Sequence, residues 1–226
     1  MMYKTETHLH TAESSSCGKL CAEEIITRCH GAGYTTVFVS DHFTRKSLAR
    51  FGDLPWEAAV DRYLRGFRAA EETGRQLGMH VLLSAEIRFD GSINDYLLYG
   101  IDEAFLLACR DTFSMDIHKF LPFAHEHGVT VIQAHPLRDG KCTPMPEDVD
   151  GFEVYNTNPR HDNHSADALA LAKQHHLLIT SGSDAHRVED IAGGGILTDT
   201  PITTAAEYIA ALRSGQYRCI GAPEQI

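Results

Sequence analysis

Two short patterns stand out for the chemistry they could support. These are His8-Leu9-His10 near the start and Asp184-Ala185-His186 near the end. In an extended strand, residues i and i+2 point the same way. Each pair therefore aims two donor groups at one point, a ready chelate for a divalent cation. Asp41-His42, Glu86 and His135 offer donors of the same kind. Singly, each has an ordinary explanation: a chance His-x-His, a helix cap or solvated loop at Asp41, an ion pair at Glu86, a loop histidine before Pro136. Together they point to a metal centre, because all follow runs that read as strands. The C-terminal strand ends are where barrels and open α/β sheets hold their sites.

The elements that must position these donors alternate. Strand-like runs fall at 2–9, 35–40, 81–87, 96–101, 129–134, 151–155, 177–181 and 217–220. Between them lie helical stretches at 20–31, from Pro55 to about Gly78, from a Ser114 cap to Gly128, at 164–175, and from the Thr204–Glu207 capping box to Gly215. This alternation predicts a parallel sheet. No Gly-x-Gly-x-x-Gly or Walker-type loop occurs, and Gly193-Gly194-Gly195 reads as a turn.

Composition bounds the rest. A chain of 226 residues, 43% hydrophobic and 23% charged, suits one α/β barrel domain over 1–226. A net charge of -11 disfavours extended nucleic-acid binding or an anionic membrane surface. No run is long enough to span a membrane, and the first residues lack the apolar stretch of a signal peptide. Six cysteines without a Cys-x-x-Cys pair read as reduced thiols, so a cytoplasmic location is expected. The remaining histidines, among them His125, His127, His175 and His176, read as helix-end or surface groups.

Five stretches in order, Thr7-His8-Leu9-His10-Thr11, Val39-Ser40-Asp41-His42, Ser84-Ala85-Glu86, Ala134-His135-Pro136 and Ser181-Gly182-Ser183-Asp184-Ala185-His186, resemble the PHP (polymerase and histidinol phosphatase) family. The resemblance spans nearly the whole chain. It implies a distorted (β/α)7 TIM-like barrel with two or three divalent ions, Zn, Mn or Fe, that hydrolyses a phosphate ester. His8, His10, Glu86 and Asp184 would then hold one ion and, through activated water, carry the catalysis. Glu86 would bridge to a second ion shared with His135, and His42 and His186 would serve a third.

The chain departs from the family pattern in two places. After the first pair, where relatives carry Asp or His, Glu13 is the strongest oxygen ligand and Cys17 a softer alternative. After Glu86, where relatives often carry another histidine, Asp95 is the candidate substitute.

The expected substrate is a small phosphorylated metabolite or nucleotide. Arg138 is placed to bind its phosphate, as are Arg45, Arg88 and Arg187, and Asn156 and Asn158 are placed to bind the remainder. Two other readings are an amidohydrolase-like C–N hydrolase, which also uses His-x-His on a first strand, and a metal-binding regulatory module without activity.

Overall fold

A computed structural model describes residues 2–223. The strands are β1 (Tyr3–Leu9), β2 (Tyr34–Val39), β3 (His42–Phe43), β4 (His80–Ile87), β5 (Tyr96–Tyr99), β6 (Thr130–Gln133), β7 (Gly151–Asn156), β8 (Leu178–Gly182), β9 (Ile196–Thr198) and β10 (Arg218–Cys219). The helices are α1 (Ala22–Gly31), α2 (Arg45–Ala49), α3 (Trp56–Tyr63), α4 (Arg65–Leu77), α5 (Glu103–Ala108), α6 (Ile117–Glu126), α7 (Ser165–Gln174) and α8 (Ala205–Ser214).

The sheet is a distorted, nearly closed barrel in the order β10-β9-β1-β2-β4-β5-β6-β7-β8, with β3 on β4. Its seam closes where the chain after β8 meets the end of β1. Leu9 and Ala185 form a parallel bridge, the His10 N–H donating to Ala185 O at 3.0 Å and the Ala185 N–H to His8 O at 3.3 Å. Barrel closure thus sets the two chelating pairs side by side.

The expectation of a parallel sheet needs correction at one barrel strand. β5 runs antiparallel to both β4 and β6, and β9 and β10 are antiparallel additions beside β1. Reversing β5 puts its N-terminal end, beside Asp95, on the face where the parallel strands end. The helix expected from Pro55 to Gly78 is also divided at Leu64 into α3 and α4. The division lets Gly66 lie against the Thr11, Ser14 and Asp41 side chains, where a Cβ would collide. The cap of α6 is Asp116, whose carboxylate accepts from the Lys119 N–H, rather than Ser114, which ends a 3-10 turn. The short helices α2 and α5 had no counterpart in the sequence expectation.

Alternating strand residues split the core. Val37 and Val39 of β2 face outward to α1, with Ile25, Ile26 and Cys29. Phe38 faces inward and meets Tyr99 and Tyr208, ring centroids 5.1 and 4.9 Å away. This aromatic plug, with Tyr208 carried in by α8, floors the barrel beneath the site. The α8 capping box is present as its sequence suggested, Thr204 accepting from the Glu207 N–H. Thr204→Ala is expected to cost about 1 kcal/mol of stability in denaturant unfolding, with the site unaffected. None of the described helices is long and apolar enough to cross a membrane.

Candidate metal centre

Five strand ends deliver their donors to one buried cluster. His8 Nε2 lies 3.1 Å from His10 Nε2, 3.4 Å from Asp184 Oδ1 and 3.5 Å from Glu86 Oε1. His10 Nε2 lies 3.1 Å from Asp184 Oδ1 and 3.5 Å from Glu86 Oε2. Glu86 is the hub: its Oε1 also meets His135 Nε2 at 3.2 Å and its Oε2 meets His42 Nδ1 at 2.7 Å. His186 stacks on His10, ring centroids 4.3 Å apart. His135 and Asp184 hold positive φ of 32° and 49°, strained for residues other than glycine. Such strain persists where the surrounding structure dictates a side chain's direction.

The electrostatics suit cations. Burial opposes charge on His8, yet Glu153, Asp184 and Glu86 outweigh it and hold the ring well above the usual histidine range. Burial likewise opposes charge on His42, but Glu86 and Cys17 carry it upward. His135 reaches about 9 against its own burial, carried up by the neighbouring Cys142 thiol and the Glu86 carboxylate. Burial together with His186 and His42 drives His10 well below the ordinary value. Asp184 is kept low despite burial by His8, His10 and Arg138. In the ion-free protein these carboxylates are thus balanced by protons on buried imidazoles, the charge a divalent ion would replace.

The donor set fits such ions. The groups His8/His10/Asp184, His42/Glu86/Asp95 and His10/His42/His186 each offer ligand atoms within 4.8 Å of one another. Glu86 Oε2 and His135 Nδ1 are buried without a hydrogen-bond partner, a cost of about 1–3 kcal/mol for each group left unsatisfied. Nitrogen and oxygen donors of this kind match zinc, manganese or iron.

The other expected site residues divide. Arg138 reaches the cluster, Nη2 to Asp184 Oδ2 at 2.6 Å. Asp95 lies 3.8 Å from His135 Nε2 but is clamped by both Nε and Nη2 of Arg88. Glu13 is not brought in: both its oxygens accept from the Ala22 N–H at the start of α1, 3.0 Å each. The free N–H groups at the start of α1 claim that carboxylate. Asn156 faces inward as a brace, donating to Glu153 Oε2, and it is Asn158 that lines the cavity. Arg45 pairs with Asp90 on the surface. Asp41 accepts from the Thr11 N–H and hydroxyl and from Ser15, fixing the loop that follows β1.

Two carboxylates escaped the sequence reading. Glu153 accepts from His8 Nδ1 at 2.8 Å, the His135 N–H and Asn156, so one side chain orients two imidazole-bearing segments. Glu6 Oε1 accepts from the N–H groups of Thr7, His8 and Ser183, tying β1 to the chain after β8. The available signal was a glutamate inside each of two otherwise buried strands. A Cβ at Gly182 would strike both Glu153 and His8, so glycine is required where β8 passes this pair. Outer carboxylates of this kind set ligand orientation and basicity. Glu153→Gln is expected to weaken metal binding by about 10–100-fold while the fold persists, measured by chelator competition and circular dichroism. Unchanged affinity would show Glu153 to be mere packing.

The fold and one segment are shared with known proteins. A family model described as PHP-associated matches residues 162–217. The fold is similar to that of a two-domain Bacteroides vulgatus protein containing a predicted PHP-like metal-dependent phosphoesterase, at 14% identity and TM-score 0.68, covering 97% of this chain. The chain spans 64% of that longer protein. Residues 162–217 thus resemble a PHP-associated segment, carried on a PHP-like barrel. PsfC from Pseudomonas syringae has a similar fold at 16% identity and TM-score 0.63, covering 92% of this chain and 88% of PsfC. An amidohydrolase from Chromobacterium violaceum, solved with bound sulfate and no metal, also has one at 16% identity and TM-score 0.57, covering 95% and 97%. No curated protein sequence matches.

Proposed function

We propose that this chain is a PHP-type enzyme that hydrolyses the phosphate ester of a small phosphorylated metabolite or nucleotide. The observation that carries the reading is a cavity of about 250 Å³ with Glu86, His135 and Asp184 in its wall and Arg88, Arg138, Arg160 and Arg187 around it. A donor cluster for cations beneath a ring of guanidinium groups is matched to a phosphoryl group. The enclosed volume lies below the range of about 300–1,000 Å³ for larger ligands, so it suits the phosphoryl end while the rest of a substrate extends outward.

His8, His10, Glu86 and Asp184 would hold one divalent ion, Glu86, His135 and Asp95 a second, and His42 and His186 a third. Bound there, such ions supply Lewis acidity and lower the pKa of water near phosphorus. The chain's own groups do the rest. Arg138, anchored on Asp184, presents its remaining N–H groups toward phosphoryl oxygens. Arg187 is held only loosely, 3.9 Å from Glu189, and is free to close on the substrate. Arg160 and Arg88 are tied to Asp190 and Asp95, which fixes their position at the rim. His161 lines the cavity with Nδ1 held by Asp139 at 3.0 Å, leaving Nε2 to protonate the departing oxygen.

The test is phosphate release from p-nitrophenyl phosphate, nucleoside monophosphates and a panel of sugar and amino-alcohol phosphates, with zinc, manganese or iron supplied. Turnover of at least one ester, lost on chelation, is expected. The C–N hydrolase reading has support from the amidohydrolase of similar fold, but among the described residues lining the cavity there is no lysine to bridge ions. Hydrolysis of amides or lactones with none of any phosphate ester would reverse the assignment.

A further inference from the structure

The loop between β1 and α1 carries two potential donors, Glu13 and Cys17, and the structure separates them. Glu13 is spent on the Ala22 N–H, whereas Cys17 lines the same cavity as His42 and His186. The ring nitrogens of His10, His42 and His186 come within 4.8 Å of one another. Glu86, 1% exposed, lines the same cavity, its Oε2 3.5 Å from His10 Nε2. That oxygen lies 2.7 Å from His42 Nδ1 without hydrogen-bond alignment, so it lacks a partner. The cysteines with a packing role look different: Cys29 and Cys109 are buried among apolar side chains. Cys17 belongs to none of the apolar clusters and faces charged groups instead.

We infer that Cys17 is a thiolate ligand that, with His42 and His186, makes one position of the centre selective for borderline-soft cations such as zinc or cobalt. A sulfur donor favours these over manganese or magnesium, which prefer carboxylate and carbonyl oxygen. The inference rests on the reading of this cluster as a metal centre, and it is independent of which ester the protein cleaves.

The experiment is cobalt(II) titration of chelator-treated protein followed by absorption spectroscopy. A thiolate-to-cobalt charge-transfer band in the near ultraviolet is expected in the wild-type protein. It should vanish in Cys17→Ser and persist in Cys142→Ser, which removes the other thiol near the cluster, beside His135. Zinc retention against a chelator should fall about tenfold or more in Cys17→Ser, since losing a ligand costs at least what losing an outer partner does. Cys17→Asp should restore the ion count without the band and shift preference toward manganese, which also separates ligand loss from misfolding.

Stoichiometric cobalt without the band, or a band that survives in Cys17→Ser, overturns the inference. Protein that takes up no cobalt overturns the metal centre along with it. A cobalt protein that shows the band but cleaves no phosphate ester supports Cys17 as a ligand and counts against the proposed activity alone.

Discussion

Alanine at position 8 is expected to lower kcat/KM for phosphate esters by more than about a hundredfold, beyond what loss of an outer partner costs. His8 Nε2 lies within 3.5 Å of three other donor side chains, those of His10, Asp184 and Glu86, and its Nδ1 sits on Glu153. Removing the ring takes away a donor and leaves Glu153 without its imidazole partner. The loss should appear in elemental analysis as at least one fewer ion per chain, with the helical circular dichroism signal kept. Near-normal turnover at full metal content would show that the reaction proceeds without this position, and the proposed mechanism would fall.

Metal affinity should rise steeply with pH, and ion uptake near neutrality should expel protons. His135 in the ion-free protein is pushed up to about 9, so below that pH its ring is mostly protonated. An ion needs the neutral ring, so binding must displace that proton. The sign follows: lower pH favours the protonated, ion-free state. Two pH units below its pKa, His135 alone weakens binding by about a hundredfold. His8 and His42, also raised, act in the same direction. Cys17, brought down to about 6 by hydrogen bonds from His186 and His42 that outweigh its burial, contributes little at pH 7 because it is already largely a thiolate. Calorimetry in buffers of different ionisation enthalpy should count at least one proton released per ion at pH 7. An affinity flat between pH 6.5 and 9 would mean that these imidazoles do not receive the ion.

The donor pairs and their direction were legible from the order of residues alone. His8-x-His10 follows from strand periodicity, and the placement of His42, Glu86, His135 and Asp184 follows from recognising where apolar runs stop. Local signals also set the α8 cap at Thr204 and its stop at Gly215, because capping depends on residues a few positions apart. Choices between competing partners were made only by the folded chain. Glu13 had a helix N-terminus within reach, and that claimed it. Asp95 reached the site because β5 reverses, and then Arg88 gripped it. Asn156 turned inward to Glu153, a residue whose role exists only once β7 lies beside β8 and near β1. Spacing along a chain fixes which way a side chain points from its own strand. Which of several nearby groups it finally meets depends on barrel closure, where Leu9 meets Ala185 across the fold.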